Sequence, residues 1–221
     1  TANTFAVKDI LSEIVDYKKT EMSQAKKDIT FEQMRDLALS CPRSTRSMKR
    51  SLKDSPYGII SEFKRKSPSK GWIHEDADPV AVIPEYQRSG ASALSILTDS
   101  KYFGGTAEFV KRVRPLVDIP ILRKDFIIDE YQLLQAREMG ADAVLLIAAC
   151  LEKDKCLELL EKAHSLGLEV LLETHSPSEL EYITEDVDMV GVNNRNLGTF
   201  HTDVQNSFDM AEALRDAVSK K

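Results

Sequence analysis

The pattern of apolar and polar residues divides the chain into two parts. In the first part, apolar side chains of residues 5–17 recur close to the 3.6-residue period, which predicts a helix. Residues 30–39 open with a capping box and predict a second helix. Residues 43–52 are basic and favour a short third helix. We therefore expect residues 1–57 to form a helical extension.

The second part, residues 58–221, alternates between short apolar runs and amphipathic segments. Most of the runs are apolar throughout, as is typical of parallel strands that helices cover on both faces. Glycine lies just before several of the runs, where it ends the preceding helix. The predicted strands span 58–63, 93–98, 120–126, 143–149, 169–174 and 189–194. The predicted helices lie near 79–89, 106–116, 130–139, 153–166, 176–184 and 203–218.

This pattern is a βα unit that repeats six times. Strict βα alternation is typical of two architectures, the TIM or (βα)8 barrel and the doubly wound sheet. No Gly-x-Gly-x-x-Gly motif follows any predicted strand, so the usual fingerprint of a dinucleotide-binding sheet is absent from the sequence. We expect an α/β fold in a single domain, with the helical extension ahead of the βα units.

Polar side chains are concentrated where the predicted strands end. Parallel strands present their carboxyl ends at one edge of a sheet, and both architectures bind their ligands there. Side chains two positions apart share a face of a strand, so each of four strands aims its polar residues to one side. If those faces point inward, the side chains meet in one mouth. They are Glu62, Lys64, Lys124, Glu173, Asn193 and Arg195.

For any single residue of this set, a solvated loop position is the simpler interpretation. Their coincidence on four strands favours a site, because a charge removed from water is costly unless it is paired or bound to a ligand. Lysine can act as a general acid when neighbouring cations or burial lower its pKa, and glutamate can act as the complementary base. Such a pair on different strands suits proton transfers at two positions of one small molecule.

Two loops add candidate binding groups. Residues 64–71 carry four cations around Ser67, Pro68 and Ser69, and such a loop offers hydroxyl and backbone N–H groups to an anion. The alternative for this loop is a solvated basic surface. Phe103 precedes two glycines in the loop after the second predicted strand. Contact with a ligand and packing over the rim are equally compatible with its position.

The composition of the chain disfavours several classes of partner. The chain has 221 residues, a formal net charge of −6 and 42% hydrophobic residues, which is typical of a globular protein. The acidic balance, with a pI near 5.4, disfavours nucleic acid as the main partner. No apolar run is long enough to span a bilayer, and the N-terminus lacks a signal pattern. We therefore expect a cytoplasmic protein without a membrane partner.

The thiols and imidazoles do not indicate a metal site. Cys41, Cys150 and Cys156 lack the spacing of zinc ligands and are expected to be reduced thiols. The four histidines also lack metal-ligand spacing, and no Ser-His-Asp or Cys-His set is evident. His175 lies just beyond the fifth predicted strand. For this residue, a role at the start of the next helix is favoured over contact with the site.

Residues 59–69, Ile-Ile-Ser-Glu-Phe-Lys-Arg-Lys-Ser-Pro-Ser, resemble the signature of the indole-3-glycerol-phosphate synthase family. The resemblance covers essentially the whole chain, including the N-terminal helices. It implies a (βα)8 barrel and a carbon–carbon lyase of tryptophan biosynthesis. The implied reaction converts 1-(2-carboxyphenylamino)-1-deoxyribulose 5-phosphate to indole-3-glycerol phosphate, with loss of CO2 and water and without a redox cofactor or metal. Further matching segments are residues 94–99, 102–105, 120–126, 171–173 and 191–197.

The resemblance also implies a role for each site residue. Lys124 resembles the general acid that activates the ribulose carbonyl, and Glu173 resembles the acid/base group of the dehydration. Lys64 would add charge and transfer a proton, with Glu62 orienting it. The two phenylalanines would pack on the anthranilate ring. The implied substrate-binding residues are Ser67, Pro68, Phe103, Phe126, Asn193 and Arg195.

The chain departs from the family pattern after its sixth unit. The family's seventh strand ends in a Ser-Glu-Ser-Gly-Ile-type motif and its eighth carries a phosphate loop, and neither is found. An eight-unit barrel typically needs ~250 residues, so we expect only the first six units here. The alternatives are a truncated, non-catalytic partial barrel and another phosphate-binding barrel enzyme such as phosphoribosylanthranilate isomerase. The expected assembly is a monomer, or a fusion or association with other tryptophan-pathway enzymes.

Overall fold

The N-terminal part of the chain is helical, as predicted. The structure is a computed structural model that describes residues 9–195 and 204–219. The helices are α1 (Ile10–Asp28), α2 (Phe31–Leu39) and α3 (Met48–Asp54). The predicted capping box is present, because the Thr30 hydroxyl accepts the Gln33 N–H and the Gln33 side chain accepts the Thr30 N–H. Residues 5–8 of the predicted first helix lie outside the described residues.

The second part of the chain forms a curled sheet of six parallel strands with helices between them. Each strand pairs with the strand that precedes it in this sheet, so the order never reverses as it does in a doubly wound sheet. This is the arrangement of a partial (βα)8 barrel. The strands are β1 (Ile60–Phe63), β4 (Ala93–Leu97), β5 (Ile121–Lys124), β6 (Ala143–Ile147), β7 (Glu169–Thr174) and β8 (Met189–Val192). The helices are α4 (Pro79–Arg88), α5 (Ala107–Val113), α6 (Glu130–Met139), α7 (Lys153–Ser165) and α8 (Val204–Ser219).

Two local features differ from the sequence prediction. The predicted helix at 176–184 is instead a 3-10 segment, Pro177–Tyr182, in which no residue is fully buried, so little apolar packing is available to stabilise an α-helix. Two short antiparallel strands, β2 (Lys66–Ser67) and β3 (Gly71–Trp72), lie where only a loop was predicted. No helix in the described part of the chain is both long and apolar enough to cross a bilayer.

The barrel sheet separates two apolar layers. The larger layer packs between the sheet and the helices, and Ile121 of β5 belongs to it. The smaller layer lies on the concave face and contains Leu122, the next residue of β5, together with Leu145 and Ile147 of β6. Because side chains alternate along a strand, Lys124 shares the concave face with Leu122. Lys124 therefore points inward, which is the condition under which the sequence places the polar residues in one mouth.

The N-terminal part of the chain holds the amino ends of the strands. Met48 of α3 is fully buried in the inner apolar layer, next to the residues that begin β4 and β6. Asp142, which precedes β6, is fully buried and accepts hydrogen bonds from Arg43 at 2.8 Å and from Arg114 at 2.5 Å. It also accepts the Ile121 N–H at 2.9 Å, so one carboxylate joins the extension to the start of β5.

The same part of the chain also holds the carboxyl ends of the strands, through a buried lysine. Lys18 lies on the apolar face of α1, between Ile14 and Met22, and its side chain is only 3% exposed. Its ammonium contacts Asp99 at 2.7 Å and Asp125 at 3.0 Å, which follow β4 and β5. Burial opposes the charge, but the two carboxylates outweigh it and raise the pKa of Lys18.

We expect the substitution Lys18→Met to destabilise the fold strongly. It fills the space of the lysine stem but leaves the buried Asp99 without this cation and Asp125 with Arg123 alone. Loss of one partner of a buried pair costs about 3–5 kcal/mol. The free energy of unfolding from urea titration measures this loss. The matched control is Lys19→Met, on the neighbouring, 67% exposed side chain, for which we expect a change within ~0.5 kcal/mol. Equal effects of both substitutions would contradict the buried role.

Candidate active site

The predicted polar residues meet in a cavity of about 140 Å³ at the carboxyl ends of the strands. The sheet register staggers the strands, since Glu62 is paired with Ser95 while Lys124 is paired with Leu97, two residues further along β4. All six strands of the curled sheet, or the residues that follow them, contribute to the lining. The polar lining residues are Glu62, Lys64, Lys124, Asp125, Glu173, Asn193 and Arg195, and the apolar ones are Leu97, Phe103, Phe126, Leu145 and Ile147.

A lysine–glutamate pair lies at the centre of this cavity. The Lys124 ammonium donates to Glu62 Oε2 at 2.8 Å, and the Ser95 hydroxyl donates to the same oxygen at 3.0 Å. Lys64 approaches the other oxygen of Glu62 at 3.7 Å. Glu62 is therefore shared by two lysines, and the pair reaches across β4, which lies between β1 and β5. We predicted that Glu62 orients Lys64, and the shorter contact is with Lys124.

Glu173, at the end of β7, is the more deeply buried of the two cavity glutamates. Its side chain is 16% exposed, against 28% for Glu62. Burial raises the pKa of the Glu173 carboxyl above its ordinary value of 4.5, while the Lys124 cation and a hydrogen bond from the Asn193 side chain act in the opposite direction. The two carboxyls thus differ in environment, and Glu173 keeps its proton to a higher pH than a free glutamic acid.

Arg195 links β8 to the loop that follows β1. Its guanidinium donates to the Ser69 hydroxyl at 3.1 Å, and its backbone N–H donates to the Asn193 side chain at 2.9 Å. This bridge spans the mouth of the cavity between the first and last strands of the sheet. It brings Ser69, a hydroxyl of the loop that the sequence analysis considered for anion binding, to the rim.

Two phenylalanines form an aromatic wall. The rings of Phe103 and Phe126 lie 5.9 Å apart, at an angle of 34°. Phe103 reaches this position because the next residue, Gly104, adopts a left-handed backbone with φ of 61°, where the Trp72 ring passes close by. A Cβ atom on Gly104 would lie 2.7 Å from that ring. A flat, apolar group can bind against this wall.

Ser67 and Pro68 are placed differently from the other predicted residues. Neither lines the cavity described above. Ser67 is 5% exposed in β2, and its hydroxyl accepts the Lys70 N–H at 3.3 Å, so it stabilises the turn between β2 and β3. Their role in substrate binding stays a prediction.

The sequence analysis missed several residues that support the site. Ser95 is buried in an apolar strand, with 3% exposure, and only the strand register reveals its contact with Glu62. Lys18 could have been found, because a lysine midway between Ile14 and Met22 interrupts the apolar stripe of a helix. His175 was assigned to the start of a helix, yet its ring lies 3.5 Å from Glu173.

No group of three or more metal-ligating side chains occurs among the described residues. The three cysteines are unlinked, and burial raises the pKa of the Cys150 and Cys156 thiols to about 12 and about 11. At neutral pH both groups are therefore thiols rather than thiolates, which makes them poor nucleophiles and poor metal ligands.

Comparison with known proteins agrees with the resemblance noted in the sequence. The family model described as "Indole-3-glycerol phosphate synthase" matches residues 11–220. A curated protein of that name from Bacteroides thetaiotaomicron is 60% identical over 213 residues, which is 96% of this chain and 82% of the relative. A second, from Carboxydothermus hydrogenoformans, is 41% identical over 214 residues, which is 94% of this chain and 81% of the relative.

The charges around Glu173 predict opposite effects of two substitutions on its pKa. Lys124→Met removes a cation that lowers the pKa of Glu173, so we expect that pKa to rise further. Glu62→Gln removes an anion that raises it, so we expect it to fall. The measurement is a pH titration of the ¹³C-labelled glutamate carboxyls by NMR, with Glu173→Gln to assign the resonance. Shifts of the same sign in both variants would contradict this electrostatic arrangement.

Proposed function

The chain belongs to the indole-3-glycerol phosphate synthase family, and we propose that the residues around the Lys124–Glu62 pair carry out the family's ring closure. The protein is a carboxy-lyase of tryptophan biosynthesis that acts on a phosphorylated small molecule. The reaction joins an aromatic ring carbon to the ribulose carbonyl carbon, and then releases CO2 and water. The residue roles below are the proposal.

Lys124 is the general acid of the first step. The single observation that carries this assignment is the 2.8 Å contact of its ammonium with Glu62 inside a cavity that Glu173 also lines. The rigid end of β5 holds the ammonium on the concave face, where it can protonate the carbonyl oxygen as the ring carbon attacks. Glu62 aims the lysine into the cavity through this contact.

The aromatic wall binds the anthranilate ring. Phe103 and Phe126 offer the flat apolar surface that such a ring prefers. The apolar surroundings also favour decarboxylation, because a carboxylate that leaves water loses its hydration and is relieved of its charge when CO2 departs. Leu97, Leu145 and Ile147 continue this apolar surface.

Glu173 serves the dehydration that follows. Its raised pKa lets it hold a proton to a higher pH than a free glutamic acid, and it donates that proton to the departing hydroxyl. Asn193 orients the carboxyl through its hydrogen bond, and Lys64 adds a second cation on the opposite side of the mouth. Both side chains favour the binding of a substrate that carries several oxygen atoms.

Arg195 and the loop of residues 64–71 bind the polar part of the substrate. The contact of Arg195 with Ser69 supports this proposal, since it joins a cation to a loop rich in hydroxyls and lysines at the rim. We assign Ser67 and Pro68 to the same loop function. A domain boundary near residue 57, a cytoplasmic location and a monomeric or pathway-associated state remain proposals.

We expect Lys124→Ala to abolish ring closure while the protein stays folded. A general acid contributes about 10²- to 10⁴-fold to a rate, and the partly exposed lysine adds little to stability. The measurement is the appearance of indole fluorescence from the purified protein with the carboxyphenylamino-deoxyribulose phosphate substrate, with circular dichroism as the test of folding.

The matched control is Lys111→Ala, which removes a lysine from the outer surface of α5, where it pairs with Glu138 at 3.0 Å. We expect that variant to turn over normally. Retained turnover in Lys124→Ala would contradict the assignment of Lys124.

A further inference from the structure

The proposed reaction takes up one proton in every turnover. The carboxylate of the substrate is released as neutral CO2, and a hydroxyl group of the substrate is released as water. The charges therefore balance only if one proton is taken up from solvent. A substrate bound at the mouth covers the direct route from water to Glu173. The following inference rests on the proposed function and concerns the path of this proton.

His175 lies between Glu173 and a second carboxyl on the outer side. Its Nε2 atom is 3.5 Å from Glu173 Oε2, and its Nδ1 atom is 3.8 Å from Glu179 Oε1. All three side chains are largely buried, with 13–16% exposure. Neither ring nitrogen has a hydrogen-bond partner among the described residues. A buried imidazole with both nitrogens unsatisfied is costly, which calls for a functional reason.

The backbone around His175 is anchored on both sides. Its carbonyl accepts a hydrogen bond from the Asn206 side chain of α8 at 3.0 Å, and its N–H donates to Glu179 Oε2 at 3.4 Å. These contacts keep the ring in the gap between the two carboxyls.

We propose that His175 is a positioning residue for Glu173 that relays a proton to it from Glu179. In the starting state the ring carries its hydrogen on Nε2. The Glu179 O–H bond breaks as an N–H bond forms at Nδ1, and the Nε2–H bond breaks as an O–H bond forms on Glu173. Glu179 then takes a proton from water. After product has left the mouth, the ring returns to its starting tautomer by giving its Nδ1 hydrogen to water and taking one from water at Nε2.

The directions of the pKa shifts in this cluster suit such a relay. Burial raises the pKa of both Glu173 and Glu179 and lowers the pKa of His175, so the proton affinities of the carboxyls and the ring are brought toward one another. Glu62 and Lys124 act on Glu173 from the cavity side. From the segment after β6, Cys150 faces the two glutamates and stays protonated, with a pKa raised to about 12 by its burial and by their charges.

The outer end of the relay reaches solvent. Glu179 lines an open groove of about 430 Å³ together with Cys150, Glu152 and Glu181. This groove lies beside the segment Pro177–Tyr182 and does not share a lining residue with the cavity of the proposed active site. Water in the groove can therefore recharge Glu179 while substrate occupies the mouth.

The test is the substitution His175→Gln in the full chain. We expect kcat to fall roughly tenfold or more, since a placed proton-transfer group is worth about 10²-fold or more and some protons still enter by the mouth. KM should stay unchanged. The solvent deuterium isotope effect on kcat should grow, and added formate should restore part of the rate, because a small acid can supply the missing proton. A purely structural role would not produce this rescue.

Two glutamate variants separate the relay from a general effect of mutation. Glu179→Gln should reproduce the lower kcat, the larger isotope effect and the rescue. Glu181→Gln, two residues away and with a 64% exposed side chain, should behave like the unaltered protein. If His175→Gln does not fold, as judged by circular dichroism, Glu179→Gln decides the question.

The outcomes distinguish this inference from the proposed function. If the unaltered protein forms no indole product, the proposed function is wrong and the relay with it. If the unaltered protein is active and Glu173→Gln is not, normal kcat and an unchanged isotope effect in both His175→Gln and Glu179→Gln overturn the relay alone. A change confined to KM also overturns it, because that result indicates a binding role.

Discussion

The site depends on a buried ion cluster on the convex side of β5. Along this strand end Arg123 points outward and Lys124 points into the cavity, while the Asp125 carboxylate, just after β5, contacts Lys18 and Arg123. Asp125 is fully buried against Lys18, Arg123 and the Thr98 hydroxyl; burial alone would raise its pKa, yet the two cations lower it to about 2. These charges are paired only in the observed register of β5. A rotation or register shift of the strand would leave them unpaired in apolar surroundings, and this cost keeps Lys124 on the concave face.

The same cluster explains why the N-terminal helices matter to the chemistry. Lys18 of α1 binds Asp99 as well as Asp125, and Asp99 also accepts the Tyr102 N–H at 2.8 Å. The loop that carries Phe103 is therefore tied to the strand end that carries Lys124 through one buried ammonium. At the opposite end of the barrel, Arg43 and Met48 hold the starts of the strands. The extension thus contacts the sheet at both ends. Contacts outside the cavity therefore support the residues that line it.

Within the cavity, environment rather than residue type separates the roles of the two glutamates. Glu62 lies between two lysines and Ser95, so it is held as an orienting group. Glu173 is more deeply buried, and its pKa is raised. A buried carboxyl with a raised pKa, next to a carboxyl paired with lysines, suits separate acid and orienting functions in one site. His175 and Glu179 follow Glu173 in a row of buried side chains that leads away from the cavity.

The sequence by itself determined the βα order, the direction of the polar faces and the residues Glu62, Lys64, Lys124, Glu173, Asn193 and Arg195, because periodicity and strand-end position are local properties. Only the tertiary structure decided that Lys124 pairs with Glu62 across an intervening strand, that Ser67 supports a turn, and that residues 177–182 form a 3-10 segment. It also decided the partners of Lys18 and His175. These outcomes depend on register, curvature and burial, which bring together residues far apart in the chain, and no local pattern encodes which buried charges will meet.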